Sequence, residues 1–247
     1  MADESQDQAA KGVKSYFENI INGYLVNDIN TLLNDELDEK AQGGCTAPLA
    51  MTVFSAMNQL GYLVNKKETK EIAEKGETAT ETCIKAFCNN WMYKIDKIYK
   101  KTTIQEMIVN LFRNGMAHQF LSIYSTAITR DPKQATLIHI IENESGQKWY
   151  VLQIKMLAAH FLEAVKSLDD KIDRAMENDH DFILRFYERL VSQRQKQKYS
   201  KKNVNLLNKA ERNLDKLDGD EITTRTTTSG IEAETSQTID RSFELPD

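Results

Sequence analysis

The sequence predicts a mainly α-helical bundle of four to five long helices with a small β-hairpin before the last one. Three observations carry that expectation. Apolar residues recur at three- and four-residue steps through most of residues 10–197. The period changes at 136–153, where two β-branched or aromatic runs flank a glycine-containing turn. No apolar run approaches the ~18–20 residues needed to cross a bilayer.

The elements follow in order. Residues 1–9 are polar and expected to be disordered. A first helix spans 10–37, with Val13, Phe17, Ile20, Tyr24, Ile29 and Leu32 on one face. Gly43 and Gly44 interrupt it. A second helix opens near Thr46–Pro48, where proline suits a first turn. Leu49, Val53, Met57 and Leu60 form its stripe, and Gly61 lies near its end. Within 67–100, Ile84, Phe87, Trp91, Ile95 and Ile98 hold helical spacing, with Gly76 marking a break. Another helix starts near Thr103, with Ile104, Ile108 and Leu111 on one side. Strands at 136–142 and 148–153 then form the hairpin around Asn143–Gln147. The last helix runs from Ile154 to about Gln197, with Leu157, Phe161, Val165, Leu168 and Ile172 facing inward.

The helical domain is therefore expected at 10–200. Residues 218–247 form a separate tail, because ten of the twenty residues 223–242 are Ser or Thr. Such a segment buries too little apolar surface to offset its ordering entropy. The tail also distorts the charge balance. The formal net charge is −5, but residues 215–247 hold nine acids and three bases, −6, so the other 214 residues sum to +1. An RNA partner is compatible with that.

The three cysteines, Cys45, Cys83 and Cys88, have no zinc-site spacing and read as reduced, buried thiols. No metal or cofactor is expected. The polar, acidic N-terminus lacks the layout of a secretory signal, so a cytoplasmic location without membrane attachment is expected.

Chemistry concentrates in Leu111-Phe-Arg-Asn-Gly-Met-Ala-His-Gln-Phe120. A neutral histidine, with a pKa of about 6.5, can take the proton of an RNA 2′-hydroxyl as that oxygen attacks the adjacent phosphorus. An arginine can hold the phosphate oxygens as charge builds. An amide can orient either group. His118, Arg113 and Asn114 supply these functions in turn, and the products would be a 2′,3′-cyclic phosphate and a 5′-hydroxyl. Five helical steps place Arg113 and His118 roughly 140° apart on a straight helix. Convergence therefore needs either a kink at Gly115 or a second subunit.

Spacing alone is a weak signal, since Arg174 and His180 stand at a similar separation. Asn114, and the apolar helix leading into Arg113, distinguish the first pair. Over residues 10–180 the segment Arg113-Asn114-Gly115…His118 and the order of elements resemble the HEPN family. That resemblance implies a helical bundle, a homodimer whose two motifs share a cleft, and metal-independent endoribonuclease activity. It also implies a setting in toxin–antitoxin or phage-defence systems, with an antitoxin or other regulatory protein as partner. The alternatives are a non-catalytic HEPN-like module that binds RNA, nucleotide or protein, and a helical interaction protein. In the last, Arg113 and Gly115 merely end a helix.

A second feature is the basic stretch 185–202. Arg185, Arg189, Arg194, Lys196 and Lys198 are its candidate RNA-binding residues, with Phe186, Tyr187 and Tyr199 interspersed. The opposing reading is a solvated helix end whose cations suit the helix dipole. His139 and His160 read as packing or surface residues.

Overall fold

A computed structural model describes residues 2–34, 45–65, 79–119, 125–131, 135–142 and 144–198; the side chains of 2–5, 117–119 and 194–198 lie outside it. The fold is mainly α-helical, with one small three-stranded open sheet. The expected tail at 218–247 and the break at Gly43–Gly44 lie outside the described residues.

The first helix begins ahead of residue 10. Helix α1 (Ala2–Ser15) leads into a π-helical segment, Tyr16–Val26, and then into α2 (Asn27–Asn34). Ser15 and Asn27 both have right-handed helical dihedrals, so the backbone continues through both joins. Part of the stretch expected to be disordered is thus helical, and Ala9 is fully buried. Acidic residues at a helix N-terminus and the alanines that follow favour that early start. The π segment also corrects one inward position. Its i→i+5 bonding turns the chain less per residue, so Phe17 and Ile21 are buried while Tyr24 is 60% exposed.

Helix α3 (Thr46–Val64) buries Leu49, Val53, Met57 and Leu60 as its period predicts. It packs closely on α4 (Ala79–Asn90). Gly61 does not end α3. It is where the two helices touch, and a Cβ built there would stand 1.9 Å from the Cys83 carbonyl oxygen. Helix α4 stops at Asn90 instead of continuing to Ile98. Two 3-10 turns follow, Met92–Lys94 and Lys97–Lys100. Asp96, extended between them, caps the second by accepting from the Ile98 amide at 2.9 Å. A side-chain cap has overridden a helical apolar spacing here.

Short α5 (Thr102–Glu106), a second π segment (Met107–Arg113) and α6 (Asn114–Gln119) follow. Gln105, 4% exposed, donates from Nε2 to Asn89 Oδ1 and to the Tyr99 carbonyl. The hairpin forms where expected, with β2 (Ile138–Glu142) antiparallel to β3 (Lys148–Gln153) and Gly146 at φ +77° in the turn. A strand not foreseen, β1 (Thr126–Thr129), pairs in parallel with β3 and makes it the central strand.

The last helix is two helices. Helix α7 (Ile154–Asn178) ends at Asp179, and α8 (His180–Lys198) begins beyond it. The Asp179 carboxylate accepts from the Phe182 amide and from Lys171 Nζ, which fixes the break. The core is centred on α3, α4 and α7, with Phe87 and Phe161 fully buried and their ring centroids 5.6 Å apart. The described residues divide into two units after Phe186, the second being the run of α8 from Tyr187.

Candidate functional site

Arg113 is the last residue of the second π segment, and Asn114 opens α6. Ile108, Val109 and Phe112 bury the segment's apolar side, and Met116 does the same for α6. Arg113 and Asn114 are held half-buried between these anchors. The guanidinium donates from Nη1 to Asn114 Oδ1 at 2.9 Å. Among the described residues no carboxylate pairs with Arg113, so among them a neutral amide is the group that steadies the cation. That arrangement suits an anion. A half-buried guanidinium without a counter-ion gains most from a phosphate or carboxylate that reaches it.

The backbone does not kink at Gly115. It is helical from Asn114 through Gln119, Gly115 is buried, and among the described residues Gly146 is the glycine with positive φ. The irregularity lies one turn earlier, in the π segment, where widened helical turns often accompany functional sites. His118 is carried on α6, with its side chain outside the described residues. On α-helical geometry its Cβ leaves the axis roughly 140° from that of Arg113. Within one chain, therefore, the two positions fall on different faces of the helix.

One other histidine, His160, has a visible role. His160 Nδ1 shares a 2.9 Å hydrogen bond with the fully buried Tyr99 hydroxyl, the two rings meeting edge to face. Burial pushes the Tyr99 phenol well above its ordinary range. His160 is thus a packing residue, as expected. No sequence signal points to its partner, which lies 61 positions away. His139 is half-buried on β2. Arg174 and His180, the second Arg–His pair by spacing, lie on different helices separated by Asp179, and both are exposed.

The candidate RNA-binding residues Arg185, Arg189, Arg194, Lys196 and Lys198 all lie on α8. Arg185 is exposed and Arg189 half-buried, while the side chains of Arg194, Lys196 and Lys198 lie outside the described residues.

Cys83 and Cys88 are buried and Cys45 half-buried, all three as free thiols. Burial pushes the Cys88 thiol up to about 12. Among the described residues no group of three or more His, Cys, Asp or Glu is gathered as a metal site, and no helix is long and apolar enough to cross a membrane. Comparison with protein-family models, with curated proteins and with solved structures gives no match in any of the three.

Proposed function

We propose that the chain is a HEPN-like, metal-independent endoribonuclease that acts as a homodimer. The observation that carries this reading is the half-buried Arg113 guanidinium, steadied by Asn114 and without a carboxylate partner among the described residues, one turn ahead of His118 on a continuous helical backbone. Arg113 stabilises the phosphate in the transition state. Asn114 orients the guanidinium, and His118 is the general base for the 2′-hydroxyl. The proton leaves the 2′-oxygen for His118, the 2′-oxygen–phosphorus bond forms, and the 5′-oxygen departs. The products are a 2′,3′-cyclic phosphate and a 5′-hydroxyl.

The unbroken helix through Gly115 favours the dimer, because a second copy can bring the opposite face of its own α6 to the same phosphate. The His118 of that second copy then serves as general acid for the leaving oxygen. Toxin–antitoxin or phage defence is the proposed setting, with an antitoxin or regulator as the controlling partner. The same helical geometry favours a second reading: if the chain is monomeric, Arg113 binds RNA, nucleotide or a partner protein and nothing is cut.

The test is incubation of purified full-length chain with mixed RNA in excess EDTA, with end analysis of the products and sedimentation of the protein. Cyclic phosphate ends from a dimer support the proposal. Intact RNA bound by a monomer selects the second reading.

A further inference from the structure

The segment between α4 and α5 carries four lysines, Lys94, Lys97, Lys100 and Lys101, all of them exposed. On the α-helix that the apolar spacing suggests, successive members of the first three would be offset by about 60° around the axis. The observed 3-10 turns arrange them differently. In a 3-10 turn residues i and i+3 eclipse, so Lys97 and Lys100 stand side by side on one edge. Lys100 Nζ lies 4.4 Å over the Tyr93 ring, and Lys94 Nζ lies 4.1 Å over the Trp91 ring. Aromatic faces thus hold two ammonium groups in place where carboxylates are the more usual neutralising partners.

The neighbouring stretch of α7 adds to the same field. The Lys94 ammonium is held below its ordinary range, first by burial and then by the charges of Arg174 and Lys171. Of the acids on these elements, Asp96 and Asp179 are engaged, while Asp169, Asp170, Asp173 and Glu177 share α7 with Lys171 and Arg174. Asp96 caps its own 3-10 turn, and Asp179 accepts from Lys171 at 2.7 Å. Like charges gathered this way cost folding energy unless a polyanion offsets them.

We propose that Lys94, Lys97, Lys100 and Lys101, with Arg174 beside them, form a cationic ridge that binds the phosphate backbone of single-stranded RNA. The ridge is distinct from the α8 stretch and from Arg113. Identifying the polyanion as RNA rests on the ribonuclease reading above, but binding is measured apart from cleavage. Lysines act as point charges toward successive phosphates and read no sequence, so the ridge holds a strand without selecting it. Among the described residues of the 91–101 segment no large aliphatic side chain is exposed, which favours a nucleic-acid backbone over a lipid surface.

The experiment is fluorescence anisotropy of a labelled, cleavage-resistant 2′-O-methyl RNA strand with full-length chain at low salt, repeated across a salt series. The test variant is Lys97→Gln/Lys100→Gln/Lys101→Gln. The charge-matched control is Lys11→Gln/Lys148→Gln/Lys166→Gln, at exposed sites elsewhere. The proposal expects the ridge variant to lose about tenfold or more in affinity and to lower the salt slope by roughly 2, since each phosphate contact on a single strand contributes about 0.7. The control should stay within about twofold of wild type. Equal losses in the two variants, or no binding by wild type, overturn it. So does ridge-dependent binding to phosphatidylserine vesicles without binding to the RNA strand. A wild type that fails to cut RNA in EDTA yet shows ridge-dependent binding supports the ridge and removes the ribonuclease. A single Lys94→Gln variant, with its melting curve, checks that loss of the Trp91 contact leaves the fold intact.

Discussion

His160 and Arg113 lie on helical segments of the same chain, in surroundings that differ in kind. Beside His160, the polar atoms of Tyr99 are satisfied. The Tyr99 hydroxyl meets His160 Nδ1, the Tyr99 amide donates to Asp96, and the Tyr99 carbonyl accepts from Gln105. The Phe87–Phe161 contact and the Gly61–Cys83 approach belong to the same helical core. One turn before His118, by contrast, Arg113 is half-buried with an amide as its described partner and no carboxylate. A satisfied buried network fixes packing and has nothing left to offer a ligand. A half-buried cation with a neutral amide and no carboxylate among its described partners gains little stability from pairing. On the proposed function, stability and chemistry fall to different helices.

That contrast can be broken by substitution. The largest loss of stability is expected for Phe161→Ala, about 4 kcal/mol by chemical denaturation, because Phe161 is fully buried in the core. Gly61→Ala should follow at about 3 kcal/mol, since the new methyl would meet backbone that cannot yield cheaply. A Gly61→Ala midpoint equal to wild type would mean that α3 and α4 are not in this close contact. Tyr99→Phe should cost about 1 kcal/mol, by removing the hydroxyl that His160 meets. Arg113→Ala should be the mildest of the four in stability, under about 1 kcal/mol, while RNA cleavage falls at least about 100-fold. Comparable losses of stability in Arg113→Ala and Phe161→Ala would erase the distinction between the two regions.

Alkaline pH probes the core region, where Cys88 and Tyr99 are buried. The Cys88 thiol is pushed up to about 12 from 9.0 by burial, and the Tyr99 phenol is raised as well. A raised folded-state value stabilises the protein fully below the unfolded value, and that contribution is lost as pH rises above it. Melting temperature should therefore fall between about pH 9 and pH 11, and Cys88→Ala should shallow the fall. A flat profile in wild type would show that these groups ionise freely in the folded chain. Thiol reagent at neutral pH should label Cys45 well before Cys88, because Cys45 is half-buried and Cys88 wholly buried.

Much of this architecture was legible in the sequence, and what escaped has physical reasons. The hairpin was readable because β2, β3 and the Gly146 turn are local features. Strand β1 was not, since four residues paired in parallel with a distant strand leave no local period. The break at Asp179 escaped because Ile172, Ala175, Ile183 and Phe186 keep helical spacing across it, while the break is set by the Asp179 carboxylate. The same applies at Asp96, whose cap turns an apparent helix into two 3-10 turns. At the candidate site, residue types and spacing were readable. The continuity of the helix through Gly115 was not, because tertiary burial overrode a weak local preference.

One assay compares His118 with His160 directly. RNA cleavage in excess EDTA is timed for wild type, His118→Ala and His160→Ala, each with a melting curve. The expected result is a loss of about 100-fold or more for His118→Ala at unchanged melting temperature, with His160→Ala cutting near the wild-type rate but melting lower. Cleavage by His118→Ala at the wild-type rate would contradict the proposed role of His118.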